Sequence, residues 1–160
     1  MSKITPCLWF ASEAEEAANF YVSLLPDSRI ETVQRSVVDT PGAPAGAILL
    51  VEFILAGHRY MALNGGTPMN FTHAVSFMID CKDQTEVDRL WDALLDGGVA
   101  DQCGWLRDRY GLSWQIVPSI LPKLFNGPDR DGAQRAMQAM MEMVKLDGDA
   151  LQRAYDGAAV

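Results

Sequence analysis

Residues 12–25 (SEAEEAANFYVSLL) and residues 82–95 (KDQTEVDRLWDALL) repeat one pattern at a distance of 70 positions. An aromatic residue and paired leucines recur at matching places: Tyr21 with Trp91, and Leu24 and Leu25 with Leu94 and Leu95. Each stretch follows a short apolar run, at residues 4–10 and 74–79. A period of this length is longer than a solenoid repeat. The chain is therefore predicted to contain two copies of a module that begins with a strand.

Composition and charge restrict the classes of partner. The chain has 160 residues, 49% of them hydrophobic, and a net charge of −8. Nucleic-acid binding requires a cationic face, so nucleic acid is not expected as a partner. No apolar run approaches the ~20 residues of a membrane helix, and the first ten residues lack the apolar core of a signal peptide. We expect a cytoplasmic protein whose three cysteines are reduced thiols.

The periodicity of apolar residues predicts the order strand, helix, strand, strand, strand in each module. The helices are predicted to begin at capping boxes, formed by Ser12 with Glu15 and by Asp83 with Glu86. The first module is expected at residues 1–68, the second at residues 69–118, and a helical extension at residues 119–160, all within one structural domain. The extension carries an apolar stripe that we expect to pack on a sheet or across a dimer seam: Met137, Met140, Met141 and Val144.

Two βαβββ modules, together with particular motifs, identify a family resemblance. The motifs are PCLWF (6–10), EEAANFY (15–21), ALNGG (62–66), SFMIDCKDQTEVDRLW (76–91), CGWLRDRYGLSWQIVP (103–118) and RAMQAMMEMVKLD (135–147). They resemble the PhnB-like family, whose members often carry the label 3-demethylubiquinone 3-methyltransferase, within the glyoxalase and bleomycin-resistance superfamily. The resemblance extends over nearly the whole chain. It implies an α+β vicinal oxygen chelate fold, a cavity for a small organic ligand and a homodimer.

Metal enzymes of this superfamily hold the metal with His or Glu at four strand positions. Counted from the motifs, these positions fall on Pro6, residues 62–64, Ala74 and Gln115. Proline has no side-chain donor, residues 62–64 include no acid, and an amide is a poor substitute for a carboxylate. His73 lies next to the third position but would face the opposite side of a strand. We therefore expect no metal and no other cofactor.

Six residues are candidates for the ligand site. Trp105 and Arg107 are predicted to share one face of a strand, and Ser113 and Gln115 one face of the next. Asn64 and His73 are added because they lie near the expected metal positions. In the alternative reading, Arg107 or Arg109 pairs with Asp101 or Asp108 inside a hairpin, and the tryptophans belong to the core.

Three functions stay open. The first is a protein that binds a small organic ligand without metal, with or without catalysis. The second is a metal-dependent lyase, isomerase or dioxygenase of the glyoxalase type that recruits His73. The third is a methyltransferase, suggested by the family label alone, since no glycine-rich loop follows the first strand.

Overall fold

The computed structural model describes residues 2–158, and the chain divides into two compact units, Met1–Asn70 and Phe71–Val160. The first unit contains β1 (Cys7–Phe10), α1 (Ala14–Val22), β2 (Arg29–Arg35), β3 (Ile48–Leu55) and β4 (His58–Asn64). Its sheet has the order β1-β4-β3-β2, with β1 parallel to β4. The alternation of β3 and β4 directs Val51, Phe53 and Ala62 into the core, where α1 buries Tyr21 completely.

The second unit repeats this arrangement. It contains β5 (Ser76–Cys81), α2 (Gln84–Leu95), β6 (Val99–Ala100), β7 (Trp105–Arg107) and β8 (Ser113–Pro118). The sheet order is β5-β8-β7-β6, and β5 again runs parallel to the last strand. The predicted pair of βαβββ modules is confirmed. Helix α2 buries its apolar stripe, as the repeat predicts: Val87, Leu90, Trp91 and Leu94.

The two helices begin differently. The Asp83 carboxylate accepts a hydrogen bond from the Glu86 backbone N–H at 2.9 Å, which confirms the predicted cap of α2. The predicted Ser12 cap of α1 is wrong, because the residue before this helix is Glu13, whose side chain makes no cap bond. The Ala14 N–H donates instead to the Asn64 side-chain oxygen at 2.9 Å. A side chain 50 positions away thus accepts the hydrogen bond of the first N–H group of α1, because β1 and β4 end side by side.

Three helices follow the second module: α3 (Ile120–Phe125), α4 (Arg130–Met141) and α5 (Gly148–Asp156). They enclose a satellite core that includes Leu121, Leu124, Leu146 and Leu151. The predicted methionine stripe is only partly packed, and α4 ends at Met141, so that Val144 lies outside the helix. Met140 packs against this core, whereas Met137, Met141 and Val144 are exposed. None of the helices within residues 2–158 is long and apolar enough to cross a membrane.

Candidate functional site

One face of the second sheet collects most of the predicted site residues. Arg107 lies opposite Ser113, and Trp105 lies opposite Gln115, in the antiparallel register of β7 and β8. Ser76 is the partner of Ser113 in the parallel register of β5 and β8. Because side chains alternate along a strand, these residues share the face opposite to the one that packs on α2. We call this face the site face.

His73 precedes β5 and contacts Ser113, which is fully buried. The His73 Nδ1 atom lies 2.6 Å from the Ser113 hydroxyl, and its Nε2 atom lies 3.0 Å from a carboxylate oxygen of Asp101. The His73 and Trp105 rings form a T-shaped pair, with a centroid distance of 5.1 Å and an interplanar angle of 80°. The imidazole is thus held at both nitrogens and on one side of the ring. The side chain is still 45% exposed.

Asp101, in the loop between β6 and β7, connects two of these side chains. Its Oδ2 atom accepts a hydrogen bond from Arg107 Nε at 3.1 Å and also contacts His73 Nε2. Its Oδ1 atom lies 3.4 Å from Arg107 Nη2. Sequence reasoning considered Asp101 only as a structural partner of an arginine. Its contact with His73 joins residues 28 positions apart, and no local spacing signals such a pair.

The hairpin between β7 and β8 positions Ser113 through Asp108. This buried carboxylate accepts from the backbone N–H groups of Tyr110 at 2.8 Å and Leu112 at 3.1 Å, and from Trp114 Nε1 at 2.9 Å. Of the alternative pairings, that of Arg107 with Asp101 is observed. The Asp108 carboxylate instead accepts hydrogen bonds from the hairpin backbone and from the Trp114 indole. Trp114 belongs to the core, as the alternative reading held, but Trp105 is half-buried on the site face.

A groove of about 400 Å³ begins at Gln115 on the same face. Gln115 donates from its side-chain nitrogen to the Ser76 hydroxyl at 2.9 Å. The groove is lined on the sheet side by Met78, Gln115 and Val117, and on the helix side by Leu121, Phe125 and Met140. Asp80 also lines it and accepts from the Ser119 hydroxyl at 2.6 Å. The groove is therefore mainly apolar, and the carboxylate of Asp80 already accepts a hydrogen bond from within the protein.

Asn64 belongs to the first unit and is not part of this cluster. Its side-chain oxygen accepts from the Ala14 N–H, and its side-chain nitrogen donates to the Ile48 carbonyl at 3.1 Å. The amide of Asn64 thus joins β4 to α1 through its oxygen and to β3 through its nitrogen. Asn64 therefore has a structural role, and it also lines a separate groove of about 430 Å³ in the first unit, so its part in ligand binding stays a prediction.

The residues on the site face do not fit the metal centre that the superfamily implies. Both ring nitrogens of His73 are engaged with protein atoms, and Gln115 offers only an amide. Within residues 2–158, no group of three or more His, Cys, Asp or Glu side chains is arranged to hold a metal ion. A catalytic zinc site needs about three such ligands in one place.

Comparisons with known proteins show the family and the fold of the chain. A family described as 3-demethylubiquinone-9 3-methyltransferase matches residues 2–117. A PhnB protein from Bacillus cereus, which carries the same description, is 33% identical, with a TM-score of 0.66 over 73% of this chain and 99% of the other. Protein PA1353 from Pseudomonas aeruginosa is 21% identical, with a TM-score of 0.56 over 74% and 98% of the two chains. No curated protein sequence matches the chain.

The family match ends at residue 117, before the tail at residues 135–147 that the sequence analysis included in the resemblance. Helices α3 to α5 lie beyond it. Within the matched part, both the element order and the sequence agree with the prediction. The chain therefore belongs to the PhnB-like family described as 3-demethylubiquinone-9 3-methyltransferase, and it has the vicinal oxygen chelate fold.

Proposed function

We propose that the second unit binds a small organic ligand that has an apolar body and a carboxylate or carbonyl group. The observation that supports this most directly is the groove of about 400 Å³ on the site face. Ligand pockets commonly have volumes of ~300–1,000 Å³ and apolar walls with a few polar groups. The groove meets both criteria, so its apolar part would receive the body of the ligand.

Hydrogen-bond donors lie next to the groove. Trp105 is the cross-strand partner of Gln115, and Arg107 lies one pleat further on the same face, at ~7 Å along the strand. Arg107 Nη1 and Trp105 Nε1 have no protein acceptor in the described part of the chain. A guanidinium presents planar, forked donors that match the two oxygens of a carboxylate. This end of the site therefore favours an anionic or carbonyl group.

The opposite end of the groove disfavours an anion, because the Asp80 carboxylate lies there. Two of the apolar walls, Leu121 and Phe125, come from α3, outside the family match at residues 2–117. The ligand of this chain is therefore selected in part by residues that the family match does not include. We infer that its identity cannot be transferred from the relatives.

Neither alternative function is favoured by the geometry. The donor set on the site face does not suit a metal-dependent lyase, isomerase or dioxygenase. Methyl transfer is named in the description of the family and of the Bacillus cereus relative. The connection from β1 to α1 in this chain is Ala11, Ser12 and Glu13, which includes no glycine to admit a donor against the backbone. Ligand binding is the function that the observed groove supports.

Binding can be tested with a matched pair of probes, 4-phenylbutyrate and 4-phenylbutan-1-ol, by calorimetry and by the shift in melting temperature. We expect the carboxylate to bind more tightly. Arg107→Gln should remove that preference, whereas Arg109→Gln should keep it, because the Arg109 side chain pairs with Asp96 at the end of α2. Unchanged discrimination in Arg107→Gln would contradict the proposed polar end.

The apolar end has its own test. Met78 lines the groove and is 59% exposed, so Met78→Trp fills the groove without disturbing the core. It should abolish binding of both probes. Val99→Trp is the control, since Val99 is 52% exposed on the outer strand β6 and does not line the groove. The proposal would be refuted if Met78→Trp still bound both probes. It would also be refuted if the unsubstituted protein bound neither probe.

A further inference from the structure

We propose that Ser113, His73 and Asp101 form a nucleophile, base and orienting acid that hydrolyse an ester bound on the site face. This inference rests on the proposed binding function, because the ester is a ligand of the same site. It assigns an acyl-transfer activity to three residues that lie on the site face, outside the lining of the groove. We call the three residues the Ser113 relay.

The geometry of the Ser113 relay matches the requirements of nucleophilic catalysis by serine. An activated serine needs a base within hydrogen-bond distance, and that base must be oriented by a third group. His73 Nδ1 lies 2.6 Å from Ser113 Oγ, and His73 Nε2 lies 3.0 Å from Asp101 Oδ2. In the neutral imidazole, the N–H at Nε2 donates to Asp101, which leaves Nδ1 to accept the Ser113 proton. The carboxylate then stabilises the imidazolium that forms.

A cationic donor lies beside the nucleophile. Arg107 is the cross-strand partner of Ser113, which places their Cβ atoms ~5 Å apart on one face. Asp101 binds Nε and approaches Nη2 of Arg107, and Nη1 is left to donate to the substrate. Charge develops on the carbonyl oxygen during acyl transfer, and a fixed donor at that point stabilises the transition state. Arg107 therefore supplies the oxyanion contact.

Access to Ser113 depends on the His73 ring. Ser113 is fully buried, whereas the His73 side chain is 45% exposed. The substrate carbonyl therefore reaches Ser113 Oγ when the ring moves aside, and rotations of exposed side chains occur within nanoseconds. Asp101 and the Trp105 ring hold the imidazole from two directions and return it to the hydroxyl.

The reaction is balanced with water as the second reactant. Ser113 Oγ forms a bond to the ester carbonyl carbon, and its proton moves to His73 Nδ1. The bond from that carbon to the alcohol oxygen breaks, and the leaving alcohol takes the proton from His73. Water then adds to the acyl carbon while its proton moves to His73. Ser113 leaves with that proton, so ester and water become acid and alcohol.

A fluorophosphonate probe and the ester 4-nitrophenyl 4-phenylbutyrate test this activity on the full chain. We expect one adduct by intact mass, located on Ser113 by peptide mapping. Ser113→Ala and His73→Gln should each lower ester hydrolysis roughly hundredfold or more, since removal of either member of such a unit disables the whole unit. Ser23→Ala and His58→Ala are matched controls outside the site and should keep both adduct and turnover.

Calorimetric binding of 4-phenylbutyrate separates this inference from the proposed function. Binding retained by a protein that forms no Ser113 adduct would overturn the Ser113 relay and leave the proposed function standing. Absence of both binding and adduct would overturn both. His73→Gln is also expected to fold normally, because the His73 side chain is half-exposed. Lost turnover in this variant together with a normal melting curve would support the Ser113 relay. Unchanged turnover in Ser113→Ala would overturn it.

Discussion

Replacement of Asp108 tests how the hairpin that carries Ser113 is stabilised. The Asp108 residue is only 3% exposed, and its carboxylate accepts from the Leu112 backbone N–H at 3.1 Å and from Trp114 Nε1 at 2.9 Å. Leu112 and Trp114 are themselves 2% and 1% exposed, so water cannot replace the lost acceptor. Asp108→Ala therefore removes the carboxylate acceptor of two buried donors.

The size of the effect follows from those two donors. A buried donor without an acceptor costs ~1–3 kcal/mol, so Asp108→Ala should lower the free energy of unfolding by about 2–6 kcal/mol. The third bond, from the Tyr110 N–H, adds less because Tyr110 is more exposed. Asp108→Asn keeps one side-chain oxygen and should cost about half as much. Urea denaturation followed by far-ultraviolet circular dichroism measures both variants.

A double-mutant cycle with Trp114→Phe isolates the indole bond. Phenylalanine has no N–H to satisfy, so Asp108→Ala should be about 1–3 kcal/mol less destabilising in the Trp114→Phe background. Leu94→Ala is a suitable control, because Leu94 is a fully buried residue of α2 that makes no side-chain hydrogen bond. An equal cost of Asp108→Ala in both backgrounds would show that the carboxylate does not stabilise the protein through the indole.

Three further predictions concern other parts of the chain. Asn64→Ala should lower the free energy of unfolding by about 1–2 kcal/mol in urea melts, because it removes the cap of α1; an unchanged midpoint would contradict the assigned structural role. Burial raises the pKa of the Cys81 thiol from 9.0 to about 12, so at pH 8 its thiolate fraction falls roughly 10³-fold. Iodoacetamide should modify the half-buried Cys103 well before Cys81 in folded protein and both in guanidinium; equal rates when folded would contradict this. The hydrogen bond from Lys145, 2.8 Å away, lowers the pKa of Asp88 below 3.8, so the pair stabilises the protein above that pH and less as the pH falls through the lowered pKa. Lys145→Ala should therefore cost up to about 1 kcal/mol at pH 7 and almost nothing well below pH 3.8, and a constant cost would contradict it.

Much of the fold could be read from the sequence because its signals are local. The spacing of Leu90 and Leu94 predicts the buried face of α2, and Asp83 with Glu86 predicts its first residue. The same reasoning failed at Ser12, because the donor at the start of α1 is satisfied by a strand residue 50 positions away. The apolar stripe predicted through Val144 also extends beyond α4, which ends at Met141, and Leu146 after the helix packs in the satellite core.

The candidate site was predictable in part. Strand alternation places Trp105 with Arg107 and Ser113 with Gln115 on shared faces, and the observed register agrees with both pairs. The strand register does not predict the loop residues His73 and Asp101, because loops follow no fixed periodicity. The structural contacts of Asn64 could not be predicted for a related reason, since its sequence position alone does not show that its amide is used between α1 and β3.

Local patterns of burial and capping along the chain were thus sufficient for the repeated βαβββ order and the faces of the strands, because each depends on residues a few positions apart. The contacts of His73 with Ser113 and Asp101 depend on how the sheet brings β5, β8 and the β6–β7 loop together. Those residues are separated by 28 to 40 positions, and only tertiary packing sets the distances between their side chains. The chemistry proposed for the site therefore depends on the folded structure.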